Sequence, residues 1–309
     1  TNEKQRIISL SNVNYSNFGF KKNEITGIIF KKKFKIKKKE KFNRISFEML
    51  NSGIFAEINF LDNGDKLTKK GRFKAKILNS NIKSNFSYDG NYLKIIDTFF
   101  RNKYLSFRSN GKLSFDPFFS VDIKSSIKDI NKDIFAETNV KKFLQNKNFL
   151  KRLNINHEIN YASKKFSRNM INKVNSKFRI TYGTLYIKKI VFLDGGIIDC
   201  NNEVNLIDKK PIFIFNCLIK SNNNKKFLKN FSVNKNKLKE EYLNLKIRGN
   251  LDLMKKKINF LNIEMNNSYK ASENDLNFFK NSFEKFFLTK SLLDTFNKEN
   301  INKFIVEIL

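Results

Sequence analysis

Apolar and polar residues alternate with a two-residue period over most of the chain, as in strands that turn one face away from water. The clearest case is Leu245 to Met265. There Leu245, Ile247, Gly249, Leu251 and Leu253 alternate with polar neighbours, and Lys255, Lys256 and Lys257 interrupt them. Ile258, Phe260, Ile263 and Met265 then resume with a one-residue irregularity. This predicts a hairpin with a charged turn and one apolar face. Related phrases recur upstream, each with a glycine expected to open a strand: Gly71, Gly111, Gly183 and Gly249. The chain thus reads as one kind of object made repeatedly, an amphipathic antiparallel sheet.

Taken in order, 25–30, 34–36, 45–49 and 54–60 read as strands separated by charged turns, followed by 73–77, 82–88, 92–96, 104–107 and 113–123. Asp89-Gly90 predicts a turn, and Asn110-Gly111 predicts a two-residue hairpin between apolar runs. Asp116-Pro117, inside the strand after Gly111, suggests an edge or a bulge. Between Ile127 and Leu153 the period changes. Ile130, Ile134, Val140, Phe143, Leu144 and Leu150 there predict one or two short helices crossing over the sheet.

Strands return at 155–161, 178–193, 196–206 and 212–220, with turns at Leu193-Asp194-Gly195-Gly196 and Asp208 to Lys210. Phe227 to Phe231 reads as a single helical turn. Ser272 and Asp275 form a capping-box-like start to a helix with Leu276, Phe279, Phe283 and Phe286 along one face. Its expected role is to cover the end of a sheet. Leu292 to Phe296 and Ile301 to Leu309 have alternating or helical apolar residues that fit either element. The expected fold is mainly β: a long, curved, mostly antiparallel sheet forming an open groove, with a few short helices and a C-terminal amphipathic helix. Its expected division is a meander over 1–126, a short helical crossover over 127–153 and a groove region over 154–309.

Composition changes this picture little. At 309 residues with 40% hydrophobic content there is enough apolar material for a core. Only two prolines occur, which suits long paired strands. The formal net charge is +32. Lys, Asn, Ile and Phe share adenine- and thymine-rich codons, so a low-GC genome enriches all four without selection for a function. The surface still attracts anionic lipid or nucleic acid. Lysines far outnumber arginines, the better readers of phosphates and guanines, so no specific nucleic acid is expected as partner. The block Lys31 to Lys41 reads as a solvated edge strand, where lysines block sheet aggregation, over a nucleic-acid or membrane-surface motif. No run of about 18 apolar residues exists to span a membrane as a helix. The chain opens on Thr1, as a fragment or mature form would, with an upstream signal or anchor helix lost.

Enzymatic chemistry finds no support: no catalytic residues, metal site or cofactor are expected. His157 stands alone in a predicted strand, without a second zinc ligand or a nucleophile at readable spacing. Gly195-Gly196 is a hairpin turn without the helix and Lys-Ser/Thr of a phosphate loop. The 29 acidic residues are scattered. The two cysteines are more informative. A turn at Asp208 to Lys210 sets Cys200 opposite or nearly opposite Cys217, close to what a disulfide requires. Two readings stand: a bridge formed in an oxidising periplasm, or two small core hydrophobes that one residue of register slip would set on opposite faces.

Three stretches carry a resemblance: GKLSFDPFFSVDIKSSIKDIN (Gly111 to Asn131), GTLYIKKIVFLDGGIIDCNNEVNLIDKKPIFIFNC (Gly183 to Cys217) and LKIRGNLDLMKKKINFLNIEMN (Leu245 to Asn266). With the Ser272 to Phe287 helix and the closing NKFIVEI (Asn302 to Ile308), they resemble the AsmA-like family of Gram-negative envelope proteins, especially its C-terminal region. The likeness covers most of 70–309 through patterns of strands. It implies a repeating β-groove in the periplasm, tethered to the inner membrane by an N-terminal helix that this chain lacks. The implied role is to bind phospholipid and support its transport to the outer membrane, or outer-membrane assembly, with envelope proteins as further partners. The family has no catalytic residues to carry over. Lipid-groove candidates therefore come from the alternation itself: Leu185, Ile187, Leu245, Ile247, Leu251, Leu253, Ile258 and Phe260. Two other classes stand beside this reading, a basic nucleic-acid-binding protein and a structural envelope scaffold that binds partner proteins through its sheet edges.

Overall fold

The computed structural model describes residues 8–14, 23–29, 31–39, 43–61, 67–116, 119–131, 147–163, 171–233, 242–288 and 298–308. These form eighteen strands and four helices. The architecture is mainly β, mostly antiparallel, not closed into a barrel, and carries a C-terminal helix. The chain divides into two compact units, Thr1–Pro117 with Asp129–Asn131, and Phe118–Lys128 with Lys132–Leu309.

The N-terminal unit is a meander of β1 (Ile8–Asn14), β2 (Asn23–Ile29), β3 (Lys32–Lys39), β4 (Arg44–Met49), β5 (Ile54–Leu61), β6 (Lys69–Ile77), β7 (Ser80–Tyr88), β8 (Tyr92–Arg101) and β9 (Leu105–Ser114). Each strand pairs antiparallel with the next. The lysine block corrects one expectation. β3 is an inner strand, bonded to β2 on one side and β4 on the other. Phe34 and Ile36 need flanking strands on both sides to leave water. Phe34 registers with Gly27 and Met49, and Ile36 with Ile25 and Phe47. Lys33, Lys35 and Lys37 take the opposite face by alternation, and Lys35 meets Glu24 there at 2.5 Å.

Asn110-Gly111 is a second correction, because the pair lies inside β9 and makes no hairpin. The ladder between β8 and β9 shifts register between Ile95 and Thr98, leaving Asp97 at a left-handed φ of 49°. The Asp97 N–H then donates to Asn110 Oδ1 at 2.7 Å. Asn110 is therefore recruited by a bulge in the neighbouring strand. Asp89-Gly90 does turn the chain: Gly90 has φ 95°, and Asp89 Oδ1 accepts from the N–H groups of Asn91 and Tyr92.

The C-terminal unit holds β10 (Ser120–Ile130), α1 (Lys147–Arg152), β11 (Asn154–Ala162), β12 (Ile171–Thr181), β13 (Thr184–Leu193), β14 (Gly196–Asn205), β15 (Ile212–Ser221), α2 (Asn224–Lys229), β16 (Leu243–Asp252), β17 (Lys257–Met265), β18 (Tyr269–Lys270), α3 (Glu273–Phe287) and α4 (Lys298–Ile308). β10 and β11 pair in parallel, an arrangement that requires a crossover between them. Of the crossover residues expected to be helical, Leu150 lies on α1 and is fully buried. Ile130 belongs instead to the end of β10. Ile134, Val140, Phe143 and Leu144, like Leu292 to Phe296, lie outside the described residues. From β11 to β18 the ladders are antiparallel.

The β16–β17 hairpin has the expected turn and irregularity. Arg248 faces Asn262 while Gly249 faces Phe260, so Leu261 is the extra residue and stays 58% exposed. Gly71 and Gly249 lie within β6 and β16 and do not open them. Gly195 and Gly196 permit a close approach: a Cβ on Gly196 would lie 2.5 Å from the Phe227 ring of α2. The Asn223 side chain caps that helix by accepting the Lys226 N–H.

Three buried clusters form this unit's core. Val191 and Leu193 pack with Phe227, Leu228, Phe231 and Val233, and Ile301 and Ile305 of α4 join them. Val204 and Leu206 pack with Leu150 and Leu153. Ile258, Phe260 and Ile263 pack beneath Leu276, Phe279 and Phe283 of α3, beside Leu288. The Ser272 capping box is complete. Phe287, one turn beyond Phe283, is the buried member of the helix face in place of the expected Phe286. Phe304 of α4 sits 5.7 Å from Phe283 and 5.4 Å from Phe287, so the two C-terminal helices brace each other.

Candidate functional site

Register places every candidate groove residue except Leu253 on one face of the C-terminal sheet. Leu253 follows β16 in the turn. That face is largely closed by protein. Leu245, Ile247, Leu251, Ile258 and Phe260 belong to the cluster beneath α3, with Ile258 3% and Phe260 8% exposed. Leu185 and Leu253 pack against the cluster that contains α1. Ile187 lies between these covered zones, in a register row broken by His157 and Asn202. The next row holds Ser125, Ile159, Ser176, Lys189 and Cys200.

These polar groups have their own chemistry. His157 Nε2 and Ser125 Oγ are 2.8 Å apart. Desolvation pushes the imidazole below its ordinary pKa. Desolvation likewise lowers the Lys189 ammonium. Cys200 and Cys217 face each other and are joined by a disulfide, with Cα atoms 4.1 Å apart. Among the described residues no group of three or more His, Cys, Asp or Glu could hold a metal ion, and no helix is long and apolar enough to cross a membrane.

The N-terminal unit behaves differently. One register row crosses its whole meander using only apolar residues: Val13, Ile25, Ile36, Phe47, Ala56, Ala75, Ile82, Phe100 and Phe107. At ~4.8 Å per strand step this row is ~38 Å long. A parallel row adds Leu10, Gly27, Phe34, Met49, Ile54 and Ile77. Rings stack along it, Phe34 on Phe47 at 5.8 Å and Phe100 on Phe107 at 4.9 Å.

No described helix belongs to this unit, and none of the three core clusters includes one of its residues. Among its described hydrophobic side chains only Phe34 and Ala75 are buried, while Leu10 is 60% and Val13 54% exposed. The remaining members of the main row are half-buried by their strand neighbours. Sequence reading missed this row because alternation marks an apolar face without showing what lies over it. Counting the helices available to each unit was the signal that could have found it.

The reverse face of the same strands is basic. β6 presents Lys70, Arg72, Lys74 and Lys76, and β7 presents Lys83. β8 adds Lys94 and Arg101, and β9 adds Arg108 and Lys112. All are exposed. On β4 and β5 charge is balanced locally: buried Glu57 is hydrogen-bonded by Arg44 and Asn59. Burial raises the Glu57 pKa, but these bonds and the Arg44 charge outweigh it and hold the carboxyl below its ordinary range.

No family model, curated protein or solved structure matches the chain.

Proposed function

We propose that this protein binds phospholipid on the apolar face of its N-terminal meander. It works as an AsmA-like, inner-membrane-associated protein of the periplasm, supporting lipid transport to the outer membrane or assembly of that membrane. It is a carrier and has no catalytic step. One observation carries this reading: an unbroken apolar row across β1 to β9 with no described helix in its unit to cover it. Contiguous apolar surface of this extent marks a binding site for protein, membrane or ligand. Acyl chains match it because they need no hydrogen-bond donors or acceptors from the row, and its length exceeds the ~30 Å of a bilayer's hydrocarbon core.

The test is lipid mass spectrometry of protein purified after nuclease and high-salt washing. Phospholipid should copurify in a constant ratio. Phe47→Asp sets a charge in mid-row on a half-buried site and should lower loading at least about tenfold while the fold persists. Phe260→Asp, buried beneath α3, should instead destabilise the C-terminal unit. Lipid-free wild-type protein with an intact β spectrum would sink the reading and move the envelope scaffold ahead.

A further inference from the structure

Charge is distributed unevenly on the polar face of the N-terminal unit. Within β6 to β9 the one carboxylate is Asp97, in the β8 irregularity. Lys74 faces Lys83 directly across the ladder, and Lys94 faces Lys112. Like charges directly opposite each other destabilise a sheet. None of these four lysines forms a salt bridge among the described residues, although Lys74 lies opposite Glu57 of β5 and Lys94 near Asp89 of the β7–β8 turn, each close enough to favour the ionised carboxylate. Lys112 lies over the Tyr92 ring at 3.3 Å, which holds its ammonium at the surface. The C-terminal unit carries many lysines too and also sets Lys177 opposite Lys188, but there Lys177 and Lys124 share Glu158, and Lys246 meets Glu264. A lysine-rich composition accounts for cations everywhere. It does not account for the near absence of carboxylates from one four-strand face.

We infer that the polar face of β6–β9 seats the protein on an anionic bilayer surface. A sheet face lets all of these cations approach a planar partner together, and each lysine or arginine adds to a surface potential that acts over a Debye length. Lysine outnumbers arginine on it, which suits diffuse attraction better than bidentate phosphate readout. Leu61, opposite Lys70, and Ile96, opposite Asn85, stand 46% and 42% exposed among the charges, available to the headgroup boundary. This attachment uses the reverse of the apolar row, so it stands whether or not that row holds acyl chains.

Vesicle flotation of the full chain tests it, using phosphatidylcholine with and without phosphatidylglycerol. Binding should require phosphatidylglycerol and weaken as salt rises. The quadruple variant Lys74→Gln, Lys83→Gln, Lys94→Gln and Lys112→Gln should bind on the order of several hundredfold more weakly, at ~5-fold per lysine. Its fold is expected to survive, since two repulsive pairs are removed. Should it not express, Arg72→Gln, Arg101→Gln and Arg108→Gln together should weaken binding on the order of a hundredfold. Replacing Lys173, Lys188, Lys220 and Lys257 of the C-terminal unit by Gln should change it less than about tenfold. Three outcomes overturn the inference: equal binding to neutral vesicles, equal loss in that control, or release from vesicles by a single-stranded oligonucleotide, which would assign the face to nucleic acid.

Discussion

Close approach of side chain to backbone is what several single residues of this protein provide. A Cβ on Gly71 would lie 2.5 Å from the Phe86 ring and 2.6 Å from the Asn59 carbonyl oxygen. The ring itself is fixed edge-on against Phe60 at 5.9 Å. Gly71→Ala should therefore cost about 1–3 kcal/mol in chemical denaturation. Adding Phe86→Ala should restore only part of this, because the Asn59 carbonyl remains; full restoration would show that the ring alone made the clash. Gly249 repeats the arrangement with Phe215 and Asn259. In the sequence these glycines read as openers of strands, since glycine is locally a turn signal. Their actual use depends on a ring from the next strand, which no local pattern reports. Asn110 was misread for the same reason, its partner being the bulge at Asp97. The cysteines were legible because only a turn centre and a two-residue period were needed to set them opposite each other, although the choice between a bridge and two thiols was not.

At the scale of elements, that bridge clamps β14 to β15 across the middle of the C-terminal sheet, between the clusters packed against α1 and α2. It closes a sequence separation of 17, for which chain-entropy arguments give about 3 kcal/mol. Cys200→Ala with Cys217→Ala should lower the stability of this unit by about that amount. Reductant should reproduce the loss in the wild type and do nothing to the variant. Equal midpoints for oxidised and reduced wild type would show that the bridge contributes nothing. The β16–β17 hairpin and the α3 cap were readable in advance because turn charge, bulge and capping box are short-range features. The position of β3 inside its sheet was not, because whether a lysine-rich strand is an edge depends on the strands beside it. The same limit hid which apolar face is covered, since Ile258 and Ile82 alternate with polar neighbours alike.

For the molecule as a whole, a net charge of +32 means repulsion between like surfaces, and the few carboxylates become important. Glu57, Glu158, Glu264 and Glu307 all lie below the ordinary glutamate value of 4.5. For Glu57 the bonds from Asn59 and Arg44 overcome a desolvation cost. For the others, side-chain hydrogen bonds from Lys177, Asn262 and Ser282 respectively come first. Because the folded values are depressed, the stability these groups contribute is complete above 4.5 and is lost as pH falls below it through the folded values. Melting temperature should accordingly fall on acidification through this window. At neutral pH it should rise when salt is added from low concentration to about 0.15 M, as repulsion is screened. A melting temperature that fell with added salt at neutral pH would show that specific ion pairs outweigh the surplus charge.

Because every strand of the N-terminal meander bonds to its neighbour in sequence, the unit is a ruler with a repeating increment. Adding one hairpin inserts two strands, restores the chain direction and lengthens the apolar row by ~9.6 Å, without re-threading anything already built. Removing one shortens it by the same step. The distance over which such a protein can offer continuous apolar contact is therefore set by hairpin count, a quantity that tandem duplication or deletion of coding sequence can adjust one increment at a time.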